Sequence, residues 1–410
     1  MGIEAALNEV NDPTPEHSHG LPSVGGGSIT MGTAVSTSPM DCQPCVHPTG
    51  QCSRGETLSD YECLHVAVTH FDQIAPAMPG LAKRPARRAL RELVRWGRNS
   101  SRRRDDAVQC VVRFPAKWVD ASSFEAALCS SGPHDPTSFE VAFEFPIGCK
   151  VMVDTGIRLL SLVNQLASTT RRVRLDFEEG ETGTMGYLDR MGFFDYLADD
   201  VEVLPSRPFY SAAELHRGGN AALVEIARIS ASERDEELPT RLTDALMQSC
   251  HARPDADELR GAAWTIFAEL IDNIFSHSGT RLDGYAALQV YPGGNRLLVA
   301  VSDSGLGIME TLRPALNTEF PRLAGLSDTN LLVEVFRQGL SRHGPDRGCG
   351  LKGSAAKAIK FNADLDVRLP NQRVFLRPAR GAYEAHKAYC HEGLSLLWGT
   401  HIAFAFKLAS

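Results

Sequence analysis

Residues 267–279 read FAELIDNIFSHSG and hold Glu269, Asp272, Asn273 and His277 in an otherwise apolar run. Leu259, Ala263, Ile266, Leu270 and Ile274 recur at helical spacing, which predicts an amphipathic helix over 257–278. Residues four apart stack on one side of a helix, so Glu269, Asn273 and His277 form one polar line. A solvated face would usually carry Lys and Arg as well, and this line has neither. A carboxylate there can orient or deprotonate a water. An amide one turn on can offer its oxygen to Mg2+, a hard ion that prefers such ligands. Asp272 lies off the line, and His277 stands where it can cap or orient the helix end. Taken alone, the stripe reads as the polar edge of a buried helix.

Two glycine-rich segments downstream change that reading. In LLVAVSDSGLGIMETL an apolar strand over 297–301 runs into Asp303, Gly305, Gly307 and Ile308. Two glycines let a ligand approach the backbone closely, and a carboxylate at a strand end can accept from an exocyclic amine. The plain alternative is a strand-ending turn. In DRGCGLKGSAAKAIK, Gly348, Gly350 and Gly353 are read as preceding an Ala-rich helix, whose free N–H groups suit phosphate. The alternative there is a flexible glycine-rich helix entry. The spacing is not that of a P-loop, and no strand precedes it as in a dinucleotide-binding fingerprint.

In this order and spacing the blocks resemble the GHKL ATPase superfamily (gyrase B, Hsp90, histidine kinase, MutL) over about residues 235–410. Glu269, Asn273 and His277 match its E-L-x-x-N-x-x-x-H box. Asp303, Gly305 and Gly307 match its D-x-G-x-G box. Gly348, Gly350, Leu351 and Gly353 match its G-x-G-L-x-x box, and Gly399-Thr400 matches its late threonine. The resemblance implies a Bergerat-type two-layer α/β sandwich, with helices on one face of a mixed sheet, holding ATP and Mg. It implies that Asn273 ligates Mg and that Asp303 holds the adenine amine between Gly305 and Gly307, with Ile308 beside them. Gly348, Gly350, Leu351, Lys352 and Gly353 would shape the phosphate end, Thr400 would close the pocket, and Glu269 would activate water. Residues 309–347 would form a mobile lid, with Phe336 on a lid helix or in the core. Three activities fit: ATP hydrolysis, nucleotide-gated binding with negligible turnover, and anti-sigma-like serine/threonine or histidine phosphotransfer to a partner protein. No upstream segment carries a phosphoacceptor histidine in helical context.

Elements must position these groups. Residues 108–210 alternate between strands and helices: VQCVVRFP, FEVAFEFP, a helix over 151–169, RRVRLDF, a helix over 181–197, and VEVLP. Such alternation predicts an α/β unit with parallel strands. Over 140–205 the order is similar to the STAS fold, with Thr182, Gly183 and Thr184 where that family carries a regulatory serine. The other reading is a βαβ unit with an N-capping threonine. A STAS-like unit beside a GHKL unit implies an intramolecular contact or a protein partner. Residues 206–234 read as a linker, with ALVEIARIS a strand or short helix, and helical spacing over 236–250 opens the next unit.

The rest of the chain bounds the class. The 410 residues carry a net charge of −8, so general nucleic-acid affinity is not implied. The exception is 83–104, with ten Lys or Arg and one acid. It is either a contact for nucleic acid or an acidic partner, or a solvated basic linker. Residues 1–107 otherwise read as a poorly ordered tail rich in Gly, Ser, Thr and Pro. There Cys42 and Cys45 have the spacing of half a zinc site, or are free thiols. No membrane-length apolar run or signal peptide is seen, and the scattered cysteines read as reduced, so a cytoplasmic protein is expected.

Overall fold

The computed structural model describes residues 108–169, 171–220, 222–230, 233–277, 280–340 and 349–408. Cys42, Cys45, the basic segment 83–104 and Gly348 lie outside them. From residue 108 onward the described chain belongs to one compact unit. None of its helices is long and apolar enough to cross a membrane.

The first half comprises β1 (Val108–Arg113), β2 (Trp118–Val119), α1 (Ala121–Cys129), β3 (Ser138–Phe145), β4 (Lys150–Val151), α2 (Val153–Ser168), β5 (Arg172–Phe177), α3 (Thr184–Arg190) and β6 (Glu202–Leu204). Strands β1, β3, β5 and β6 lie side by side in chain order and are parallel, as the alternation predicts. The connecting helices pack on one face: Leu128 of α1, Leu160 of α2 and Leu188 of α3 share one core with the strands. The strands show it: Val141, Phe143, Phe145, Val173, Leu175 and Phe177 are buried, while Glu140 and Arg172 pair on the other face at 3.3 Å.

The helix predicted over 181–197 is shorter than expected. A 3-10 turn occupies 180–182, and α3 stops at Arg190, just before Gly192 at φ 79°. Met185, Leu188, Phe193 and Leu197 are nevertheless all buried. Neither threonine caps this helix: the N-cap is Gly183. Thr184 is buried and donates to the Cys149 carbonyl at 2.6 Å; Thr182 is exposed and donates to the Glu179 carbonyl.

The second half adds α4 (Ala212–His216), β7 (Leu223–Ile229), α5 (Leu238–Cys250), α6 (Ala256–His277), β8 (Gly284–Tyr291), β9 (Arg296–Ser302), α7 (Ile308–Glu319), α8 (Asp328–Glu334) and α9 (Cys349–Lys360). It closes with β10 (Asp364–Leu369), β11 (Gln372–Ala379), β12 (Ala382–Ala385), β13 (His391–Glu392) and β14 (His401–Lys407). The large sheet runs β12-β11-β10-β14-β9-β8-β7, with β13 beside β11. Its edge strand β7 lies in the stretch read as linker. Every pairing in it is antiparallel, so the sheet is not mixed as expected. Short connections explain this: β8 to β9 and β10 to β11 turn back within a few residues, which only antiparallel pairing allows.

Nor are helices confined to one face. Leu297, Val299, Val301, Ile402, Phe404 and Phe406 pack with Ile266, Leu270 and Ile274 of α6 on one side. The alternate residues Tyr285, Ala287, Leu298, Ala300 and Ala403 pack with Ile157, Leu160 and Val163 of α2 on the other. Alanines on that side let α2 approach the sheet closely. Helix α2 is thus enclosed between two sheets, and every residue from Val153 to Ala167 is buried. An enclosed helix is usually apolar all round. Here Asp154, Arg158, Ser161 and Gln165 form a line at alternating four- and three-residue steps.

From Arg158 to Gln165 the line is paired across the layer. Arg158 reaches Asp366 at 3.0 Å, and Asp366 is also held by Arg373 at 2.9 Å. Nearby, Glu125 of α1 takes Arg368 in two bonds of 2.9 and 3.1 Å. Substituting Met for Arg158 keeps the buried stem but removes the ion pair. We expect a loss of ~3 kcal/mol, towards the low end for a broken buried pair because Arg373 still holds Asp366. Arg172→Ala, on the exposed pair, should cost less than ~1 kcal/mol. Urea unfolding of both variants checks this; equal midpoints would show that the buried pair is not a fixed joint.

Candidate functional site

The predicted site residues gather in two groups. In the first, β9 ends at Ser302, and Asp303 turns under the start of β14. Its carboxylate accepts from the Gly305 N–H at 2.7 Å and the Thr400 N–H at 3.0 Å, while its own N–H donates to the Thr400 carbonyl at 3.1 Å. Thr400 Oγ1 accepts the Ile308 N–H at 3.1 Å, and Gly307 is the N-cap of α7. Asp303, Gly305, Gly307, Ile308 and Thr400 therefore form one bonded cluster. Asp303 is only 8% exposed, and burial pushes its carboxyl up from 3.8 to about 6, against the pull of the two N–H donors. A carboxylate has room for about four acceptor bonds, so capacity remains for a further donor.

Gly399 makes the cluster possible. Its φ is 93°, and a Cβ built there would stand 2.1 Å from the Asp303 carbonyl oxygen. Only glycine lets these two backbones cross so closely.

The second group lies on α6, where the predicted helix forms within a residue of its expected ends. Glu269 and Asn273 are half-buried, and burial, then the nearby Asp272 charge, pushes the Glu269 carboxyl up. Asp272 itself turns away to pair with Arg234 at 2.9 Å. Asn273 stands beside Glu269 and favours its charged form, yet its Nδ2 is buried with no hydrogen-bond partner. Helix α9 packs against α6. A Cβ on Gly350 would stand 1.5 Å from Glu269 Oε1, so the carboxylate occupies the space that this glycine leaves. Gly350 and Gly353 lie inside α9 rather than ahead of it, and Gly353 faces open space. Leu351 packs on the core and Lys352 is exposed. The His277 side chain, like Gly348, is outside the described residues. Phe336, one candidate for a lid, is a core residue set edge-on to Tyr383 at 6.4 Å.

Sequence reasoning missed what lies behind Asp303. Gln165 of α2 is fully buried; its Nε2 donates to Ser304 Oγ at 2.9 Å and to the Trp398 carbonyl at 3.0 Å, and its Oε1 accepts the Trp398 N–H at 2.9 Å. Alongside, Ser161 and Ser302 hydroxyls meet at 2.7 Å, Ser302 bonds His401 Nδ1, and His401 Nε2 lies 3.0 Å from the Trp398 carbonyl. A carbonyl only accepts, so Nε2 carries the proton and Nδ1 accepts from Ser302. Burial first, and then Arg158 and Arg368, hold His401 far below its ordinary range and so neutral. Missed too was Ser354, one turn after Gly350, whose hydroxyl is buried and unpartnered. The available signal was the polar line on α2, of the same kind as the one on α6.

A cleft of about 730 Å3 lies elsewhere, beside β7, and its lining includes Glu225, Arg228, Asp235, Arg241 and Asp244. Those charges are paired, for example Arg241 with Asp235 at 2.6 Å and Arg260 with Asp244 at 2.8 Å, which leaves little net charge to attract an ion. Among the described residues no cluster of His, Cys, Asp and Glu could hold a metal. Comparison with family models, with curated proteins and with solved structures finds no match to this chain.

Two outcomes follow from the Asp303 cluster. Gly399→Ala should destabilise the fold by more than ~2 kcal/mol, because both the φ angle and the Asp303 backbone oppose a side chain. Gly350→Ala meets only the flexible end of Glu269 and should cost less than half as much; thermal unfolding ranks the two. The raised Asp303 carboxyl also has a sign. Between pH ~4 and ~6 the folded chain keeps a proton there that the unfolded chain has lost, so stability falls as pH rises through this window. The difference in urea midpoint between wild type and Asp303→Asn should therefore change between pH 4 and 7, favouring the variant at the higher pH. A pH-independent difference would mean that Asp303 ionises normally.

Proposed function

We propose that this chain binds Mg-ATP in the GHKL manner and hydrolyses it, with the STAS-like first half serving as a regulatory layer on the same body. The observation that carries the reading is Asp303: a buried carboxylate at a strand end, pinned by two backbone N–H groups and with acceptor capacity to spare. That is the chemistry that selects the 6-amine of adenine over the 6-oxo group of guanine, which would oppose it.

The other residues fit the same ligand. Asn273 is a half-buried amide whose inner end is unsatisfied; since amide oxygen and nitrogen are assigned by their partners, its oxygen can equally face that position. Asn273 would hold Mg, which would supply positive charge against the phosphates. Glu269, raised by burial, suits a general base that takes a proton from water. Gly350 keeps the space in which that carboxylate sits. Lys352 is exposed on the first turn of α9, where it would meet a phosphate from the solvent side.

Calorimetry with Mg-ATP should show binding by wild type, weakened at least ~10-fold in Asp303→Asn and in Asn273→Ala. Glu269→Gln should bind normally and turn over ~100-fold or more slowly. Affinity should also fall as pH drops through about 6, where Asp303 takes up its proton and ceases to be a full acceptor. Unchanged affinity in both binding variants would remove the nucleotide reading. Binding with no wild-type turnover would replace hydrolysis by nucleotide-gated interaction, and labelled phosphate on a second protein would replace it by phosphotransfer.

A further inference from the structure

We propose that Gln165, on helix α2 of the first half, is a positioning residue for base selection: by tying Ser304 to Trp398 it sets where Asp303 stands against Thr400. This rests on the nucleotide reading above and deepens it.

The orientation of the Gln165 amide is fixed by its partners. The Trp398 N–H demands an acceptor and the Trp398 carbonyl a donor, so the amide can face only one way. Its remaining N–H is aimed at Ser304, the residue between Asp303 and Gly305. The two strand ends it joins are those that meet at the proposed base-binding carboxylate. Trp398 leads through Gly399, whose crossing with Asp303 has no slack, to Thr400. Thr400 then supplies the N–H to Asp303 and the acceptor for Ile308. A shift of Trp398 relative to Ser304 is therefore a shift of the donors around Asp303. The base pocket would not be complete within residues 235–410; one of its rear supports comes from the other half of the chain.

Asn164, the preceding residue, supplies the control. It is also buried and makes three bonds: its Nδ2 donates to Tyr285 at 2.8 Å and to the Tyr196 carbonyl at 2.9 Å, and its Oδ1 accepts from Ala198 at 2.9 Å. None of these involves residues 303–308 or 398–400. A purely structural role for α2 predicts that Gln165→Leu and Asn164→Leu behave alike.

The test uses the full chain, with Mg-ATP and Mg-GTP titrated by calorimetry and urea midpoints measured in parallel. Wild type should prefer ATP. Gln165→Leu should lose at least ~10-fold in ATP affinity and narrow the ATP/GTP ratio towards one, since all three of its hydrogen bonds are lost. Asn164→Leu should lose stability to a comparable degree and keep both affinity and ratio. Should Gln165→Leu not fold, Ser304→Ala removes only the bond from the amide to the loop and should narrow the ratio roughly three-fold. A wild-type ratio in Gln165→Leu or Ser304→Ala, or an equal collapse in Asn164→Leu, overturns the positioning role. Wild type that binds neither nucleotide overturns instead the reading on which it rests.

Discussion

The fold depends on one constraint: a sixteen-residue helix carrying charged and polar side chains is enclosed between two sheets. Burying an unpaired charge or amide costs several kcal/mol, so such a helix is favoured where its polar groups find partners. Most on α2 do, and those partners lie across the layer on the large sheet or at its ends. Arg158 takes Asp366, Ser161 takes Ser302, Asn164 takes Tyr285, and Gln165 takes Ser304 and Trp398. The apolar contacts could be satisfied by several placements of the helix on a sheet face rich in alanine. The polar ones fix a single register along it. Parting the layers would expose Tyr285, Leu298 and Ala300 and strand these charges, so the two halves form one body rather than a core with an appended domain.

That register converges on residues 398–401. The segment faces α2 through Trp398 and His401, and faces Asp303 and Ile308 through Thr400. Its conformation is set by glycine at 399 because a bulkier residue would strike Asp303. A four-residue crossbar thus carries the geometry of the helix layer to the carboxylate, over a few covalent bonds and with little room to yield. The Glu269 group is positioned differently: it depends on the packing of α9 against α6, and on Gly350 leaving room for a carboxylate.

Much of this was legible in the sequence, and the limits have physical causes. Helix α6 was readable to within a residue because its apolar stripe, acidic first turn and length agree. Strands β3, β5 and β9 were readable from β-branched and aromatic runs. The antiparallel order of the large sheet was not: DLDVRL alternates as a half-buried strand does, but the order is set by pairings such as β10 with β14, between residues far apart in the chain. The helix over 181–197 was overextended because its apolar residues continue past Gly192, where a left-handed turn replaces the helix while keeping those residues inside. The motif residues were recognisable by type and spacing, but Gln165 was not. It lies in a helix whose apolar residues dominate the pattern, and a buried glutamine has meaning only once its partners, more than a hundred residues away, are placed beside it.

The charges near the layer also explain why the hydrogen-bond chain runs one way. Arg158 and Arg373 converge on Asp366, while Asp154 beside them is pushed towards its neutral form by burial. Arg368 adds a further positive charge, matched by Glu125. The local field is therefore positive, and it works with burial against a proton on both nitrogens of His401. A neutral His401 must choose one tautomer, and the Trp398 carbonyl makes the choice. Ser302 then donates to Nδ1, which leaves its oxygen to accept from Ser161. If His401 were charged, both ring nitrogens would donate, Ser302 would have to reverse, and the bond to Ser161 would turn with it. Burial and the ionic cluster together thus fix the protonation state that gives the hydrogen-bonded crossbar its direction.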